Sequence, residues 1–476
     1  MIRFSIIAVL VTCFPIFSMD KLSVSDYLDY LINDHAIPKQ LQTDVRHAQS
    51  SFIQSSSVAD WTIQSSLSSN HTEPYQSSFA PEYIDSLQAQ LSIARPLLST
   101  GGYLSFDIRQ QRFKQAPLSF GGMPSVNQPT YFQNAIAITY KQPLLVGFLG
   151  DVLNHPINIA SRNVQATKFK SEDGLEAFVQ SKLSEYVDWT LLHELTELSF
   201  SRLQLARESY DQTKERVRVN LAENIDLLRA EAALERAHQL WMTQKATLKS
   251  FQFKVSVQFE NPSILHQSPS FQLYDMVDIK KPDHILISKL RRITSMNLNE
   301  PTLKENLRLS KAKRNGELDL VGSYEFLGGS SAFYSAQRHL NNNATIALQY
   351  RRALSDTQAI EQVKKDNDTF KQFKHQQTQI QKDIKAEVLS LYTLIEEYRS
   401  ILNITLNQIL IFKKKADAET ALYKQGRSSI DMVIQAQDDV LNSKLNYANL
   451  SANYQKYVLA YQDLTDALLQ AYEITL

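Results

Sequence analysis

Side chains able to do chemistry are plentiful in this sequence, yet their spacing gathers none of them into a reaction centre. Ten histidines stand at 35, 47, 71, 155, 193, 238, 266, 284, 339 and 375, and no two have the ordered separation of metal ligands. The adjacent carboxylates Glu396–Glu397 and Asp438–Asp439 lie in helix-forming stretches that also carry lysines, where a solvated helix face accounts for them. There is no glycine-rich phosphate loop, no serine elbow and no cysteine nucleophile in a recognisable setting. Cys13 is the only cysteine and falls in an apolar N-terminal run. Once that run is removed no thiol is left, which excludes disulfides and cysteine metal sites. The residues support no catalytic group, no metal and no cofactor.

The positions that do ask for an explanation are turn residues. "KQGRSSID", residues 424–431, contains the only glycine after Ser355, and no proline follows Pro301. Helical patterns run for dozens of residues on both sides of it. Gly426 lacks a Cβ and so suits the left-handed conformation that ends a helix, while Ser428 or Ser429 can cap the helix that returns. Asn220 holds the matching place earlier in the chain, and asparagine is the next best residue for that conformation.

The elements that carry these turns are long. From about Ile157 to Val219 there is no proline and one glycine, with apolar residues at helical spacing: Leu175, Val179, Leu183, Tyr186, Trp189, Leu192, Leu195 and Leu198. A second helix follows from about Asn224 to Val257, a third from Ser355 to Lys424, and a fourth from about Ser428 to Tyr472. Roughly 65 residues at 1.5 Å each give about 100 Å, the length of a coiled-coil element rather than of a globular helix.

The glycines other than Gly174 and Gly426 lie in 101–150 or 316–329, and those zones alternate in polarity with a period of two. Leu104, Phe106 and Ile108 alternate with polar residues in "YLSFDIRQ", as do Ile136, Ile138 and Tyr140 in "NAIAITYK". Leu318, Leu320, Tyr324 and Phe326 alternate in "ELDLVGSYEF", and Ala344, Ile346, Leu348 and Tyr350 in "ATIALQYR". These predict strands with one apolar and one polar face. Weaker strand signals begin at Trp61 and Leu87. The chain therefore reads as strands, long helix, turn and shorter helix, twice over. Setting Asn220 on Gly426 puts Ala230 on Ala436, Leu227 on Val433 and Leu228 on Ile434.

Composition narrows the setting. Lysine plus arginine equals aspartate plus glutamate at 50 each, so charge gives no argument for nucleic acid. Arg3 followed by an almost wholly apolar stretch to residue 17 predicts a secretory leader, residues 1–18, too short to remain as a membrane anchor. "LVTC" approaches a lipoprotein box, with threonine where a smaller residue is expected.

"AITYKQPLL", "LQLARESYDQTKERVRVNLAENIDLLRAEAALERA" and "ALYKQGRSSIDMVIQAQDDVLNSKLNYANLSANYQKYVLAYQDLTDAL", in that order and spacing, resemble TolC-type outer membrane efflux proteins. The resemblance covers nearly the whole mature chain, including an N-terminal helix at "LSVSDYLDYLINDHAI". It implies a mainly α fold with a membrane β-barrel portion. Long helical hairpins of three copies would form an α-barrel tunnel, and each copy would add strands to one shared transmembrane barrel. It also implies a gated periplasmic tip, a location in the outer membrane of a Gram-negative bacterium extending into the periplasm, and passive export. The implied partners are outer membrane lipid, a periplasmic adaptor and an inner-membrane transporter.

On that resemblance the chain divides at residues 1–18 (leader), 19–155 (N-terminal helix and first strands), 156–260 (first hairpin, tip near 220), 261–316 (equatorial region), 317–352 (second strands) and 353–476 (second hairpin, tip near 426). Asp226 and Tyr423 match the family's tip aspartate and tyrosine. The family's arginine position holds Ser428, and Arg427 lies one residue off it. Met432 and Gln435 match an acidic entrance ring but are uncharged, which implies weak cation preference. The family pattern is two strands per half, twelve in a trimer. The first half here offers up to four, with "STGGY" as an extra turn. The expectation is a twelve-stranded barrel with 87–97 and 103–113 above or beside it, eighteen strands being the alternative. The competing functional reading is a trimeric periplasm-spanning coiled coil or adhesin with no conduit, which would not need strands of alternating polarity.

Overall fold

A computed structural model describes residues 21–74, 81, 83–117, 129–259, 265, 267–338 and 340–474; the expected leader, Cys13, His266 and His339 lie outside them. In chain order the elements are β1 (Lys21–Leu22), α1 (Val24–Asp34), α2 (Ala36–Ser56), β2 (Thr62–Thr72), β3 (Ile84–Pro96), β4 (Tyr103–Gln115), β5 (Tyr131–Pro143), α3 (Asp151–Arg218) and α4 (Asn224–Gln258). Then come β6 (Ser268–Pro269), α5 (Arg291–Asn297), α6 (Glu300–Lys313), β7 (Glu317–Ser330), α7 (Phe333–Arg338), β8 (Leu340–Arg351), α8 (Thr357–Lys424), α9 (Ile430–Leu464) and α10 (Leu468–Ala471). Cα packing divides them into two compact units. Among the described residues one holds 21–42, 172–291 and 381–474, the other 43–171 and 292–380.

The internal repeat is closer in geometry than in letters. Helices α3 and α8 have 68 residues each, and α4 and α9 have 35 each. All four pairs of boundaries, from 151 and 357 through 258 and 464, keep the 206-residue displacement that sets Gly426 on Asn220. Helix α3 begins six residues before the sequence pattern suggests and carries Pro156 inside it.

In the first unit, Tyr27, Leu28 and Leu31 of α1 pack with Leu175, Val179, Leu183, Tyr186 and Trp189 of α3, Val255 of α4, Ala448, Ala452 and Leu459 of α9 and Leu468 of α10. Each large side chain buried there contributes about 1.5–3 kcal/mol. The first five residues of the expected α3 stripe are thus core, whereas Leu192, Leu195 and Leu198 are only half-buried. Farther along α3 the buried positions shift to Ser199, Arg202, Ala206 and Thr213. Helix α8 keeps a stricter period: Val388, Ile395, Leu402, Ile409, Ala416 and Tyr423 are buried at seven-residue steps, with Ile384 before them and Thr405 between. That is the seam of a coiled coil.

The last helix does not run to Tyr472 as the pattern implied. It stops at Leu464, and Asp466 takes φ 56° before α10 starts. The break is held by carboxylates. Fully buried Glu176 pairs with Arg291 and accepts from the Leu468 and Leu469 amides at 2.8 and 3.2 Å, while Asp466 accepts from the Arg291 amide at 2.6 Å.

In the second unit a single antiparallel sheet has the order β2-β3-β4-β5-β7-β8. This corrects the expectation that the hairpin of residues 87–97 and 103–113 stands apart from the sheet. It sits within it, because both of its strands find a full-length partner. The register sets Ile63, Ile93, Phe106, Ile138, Tyr324 and Ala344 in one row across all six strands. Successive rows put Leu91, Ile108, Ile136 and Phe326 on the same face, which is exposed: Ile63 is 71% accessible, Leu67 73% and Ile346 84%. The other face is polar and internally paired. Asp107 accepts from Ser92 at 2.6 Å and Ser105 at 3.0 Å, and Lys141 pairs with Asp319 at 2.7 Å.

Candidate functional site

The two hairpin turns lie in the first unit and close alike. Asn220 and Gly426 both take positive φ, 59° and 74°. At the first turn the Leu221 amide reaches the Arg216 carbonyl at 2.7 Å and the Asn220 amide that of Val217 at 3.0 Å. At the second, Arg427 reaches Leu422 at 2.9 Å and Gly426 reaches Tyr423 at 2.9 Å. Each is a Schellman closure, which satisfies the last carbonyls of a helix and requires the left-handed residue the sequence supplies. The return helices are capped differently. The Ser429 hydroxyl, not that of Ser428, accepts from the Met432 amide, whereas Glu223 and Asp226 form a reciprocal capping box at the start of α4.

Around these turns the side chains form two linked groups. Tyr423, 5% exposed, packs with Ala230, Ala233, Ile430, Val433 and Ile434. Its hydroxyl meets Thr213 Oγ1 at 3.0 Å, and the Arg216 guanidinium lies 4.5 Å over its ring and donates to its carbonyl. The second group is ionic. Arg229 Nη1 stands 3.4 Å from Asp226 Oδ1 and 3.2 Å from Asp431 Oδ2, so one guanidinium ties the start of α4 to the start of α9.

The structure places Asp226 and Tyr423 beside the turns, with Arg229 in the place at Asp226 that Arg427 would have had to reach. Arg427 is exposed and makes no ion pair among the described residues. Ser428 donates to Glu419 at 2.6 Å. Met432 and Gln435 are exposed one turn apart on α9. Sequence reasoning missed Arg216, Thr213 and Arg229. The three-residue spacing of Asp226 and Arg229 was a usable signal, but the Arg229–Asp431 link needs the two hairpins side by side.

No family model and no curated protein matches this sequence. Solved structures do. VceC, an outer membrane protein of Vibrio cholerae, superposes with a TM-score of 0.65 at 11% identity, over 94% of this chain and 95% of that one. The outer-membrane channel OprN gives 0.69 at 10% identity, over 93% and 90%. The open state of the Neisseria gonorrhoeae MtrE outer membrane channel gives 0.65 at 11%, over 94% and 89%. The chain has the fold of outer membrane channel proteins. At this identity the likeness extends to the path of the backbone and not to the turn side chains.

Proposed function

We propose that the protein is a passive export channel of the outer membrane, working as a homotrimer with a gated periplasmic tip. The observation that carries this reading is the sheet: six antiparallel strands of 11 to 14 residues with one exposed apolar face. Strands of about 9–11 residues suffice to cross a bilayer, and lipid demands a closed sheet because an open edge leaves amides without partners. Six strands are fewer than the eight of the smallest barrels. Copies must therefore share the wall. A fibrous coiled coil or adhesin would have no use for such a face.

In this reading the hairpin turns are the tip, and Arg229, Asp226, Asp431 and Tyr423 hold it closed. A periplasmic adaptor docks around Asn220, Gly426 and Arg427, and an inner-membrane transporter supplies the energy. The likeness to outer membrane channels supports the assignment. Detergent extraction of the outer membrane, followed by mass measurement, tests it. The expected species has three times the mature chain's mass, and a stable detergent-free monomer would reject it.

A further inference from the structure

Resting on the trimer reading, we propose that each copy gives six strands to the wall, so that three copies close an eighteen-stranded barrel. Its seams would join β8 of one copy to β2 of the next. The hairpin β3–β4 is what distinguishes this from a twelve-stranded wall, and four observations make it structural. It separates β2 from β5, pairing with β2 from Thr62↔Ala94 to Thr72↔Ile84 and with β5 from Tyr103↔Lys141 to Phe113↔Tyr131. Laying it aside would strip both neighbours of their ladders.

Its turn is also seated too closely to be an appendage. A Cβ on Gly101 would come within 1.9 Å of the Gly147 carbonyl, and one on Gly150 within 1.8 Å of the Leu98 carbonyl. Asn154 at the start of α3 donates to Leu98 O at 2.9 Å, and Gln142 donates to Thr100 O at 2.7 Å. The hairpin continues the apolar face, with Leu87, Leu91, Phe106 and Ile108 exposed.

The edges fit one another. With six alternating strands, β2 and β8 run in opposite directions, so β8 beside a second copy's β2 keeps the sheet antiparallel throughout. Both edges are long, 11 and 12 residues, and carry highly exposed apolar side chains: Ile63 and Leu67 on one, Ile346, Leu348 and Tyr350 on the other. A second copy of this chain is thus the occupant that both edges fit. Strands spaced about 4.8 Å apart and tilted about 40° give a backbone diameter of about 36 Å for eighteen strands and about 24 Å for twelve. The cross-section is about twofold larger.

Top views of the wild-type trimer in lipid nanodiscs by electron microscopy measure the ring directly. Cysteine pairs test the seam, since Cys13 is the only native cysteine. Ile63→Cys or Leu67→Cys is combined in turn with Ala344→Cys, Ile346→Cys and Leu348→Cys. The expected results are a ring of about 36 Å and at least one pair that converts the trimer to covalently linked chains on oxidation. An intact trimer with a ring of about 24 Å, or one in which none of these pairs links neighbouring chains, overturns the strand number and leaves the channel standing. Absence of any trimer overturns the channel reading, and the strand number falls with it.

Discussion

Replacing Arg229 by alanine should open the channel without unfolding it. Arg229 is bonded at 3.4 Å to Asp226 and at 3.2 Å to Asp431, and its side chain is 44% exposed. Ion pairs this wet are worth about 0.2–1 kcal/mol each, so the two together contribute roughly 0.4–2 kcal/mol per copy. If three copies must part together, the closed state loses roughly 1–6 kcal/mol, a rise of about one to four decades in the open population. Single-channel recording in planar bilayers reads this as a higher open fraction or conductance. Thermal midpoints should fall by only a few degrees, because no core contact is touched. Salt offers an independent handle. At 1 M the Debye length is about 3 Å, so the wild type should approach the variant there. Asp226→Ala should also raise conductance but removes half of a capping box, so Asp226→Asn is the cleaner partner in a double-mutant cycle. Intact Arg229→Ala trimers that conduct like the wild type at low salt would show that Arg229 does not hold the tip closed.

With Met432 and Gln435 uncharged and Asp431 held by Arg229, reversal potentials in a salt gradient should reveal little cation preference; strong preference abolished by Asp431→Asn would mean that Asp431 lines the entrance. Gly426→Ala puts a Cβ in ordinary contact with Arg216 Nη2, 3.8 Å away, but keeps φ 74°, so it should destabilise by about 1–2 kcal/mol in thermal unfolding, whereas Asn220→Gly should be neutral or slightly stabilising. Hydrogen bonds from Lys304 and Lys374 hold the Glu300 carboxylate below its ordinary range. A depressed folded-state pKa contributes stability above the unfolded value and loses it as pH falls through the folded one. Acid unfolding of the wild type should therefore steepen below about pH 4.5 relative to Glu300→Gln, and superimposable pH profiles would reject the contribution.

Much of this fold was legible because its elements are long and periodic. Leu104, Phe106 and Ile108 announced a face, and Asn220 and Gly426 announced two reversals whose helices match to the residue. The strand number was not legible. In β2 only Ile63 and Leu67 mark the apolar face among serines and threonines, a pattern that also suits a loop. The end of α9 was hidden because the carboxylate that restarts the chain there, Glu176, comes from almost three hundred residues away. At the turns, one-dimensional spacing could place Asp226 and Tyr423, but not the guanidinium that joins two hairpins.

The seven-residue ladder on α8 has its final rung at Tyr423, the tyrosine clasped by Arg216 and Thr213. The rung before it, Ala416, is the smallest, and it borders a cleft of about 570 Å³ among α3, α8 and α9. A zipper that is strong along its length and thin just behind its slider parts from the end first. If the tip opens as proposed, the part of α8 below Ile409 is the part expected to swing outward, with the upper rungs staying engaged. Spin labels at 420 and at the exposed position 403 would separate between copies on opening only at the lower position; equal movement at both would mean that the whole helix travels.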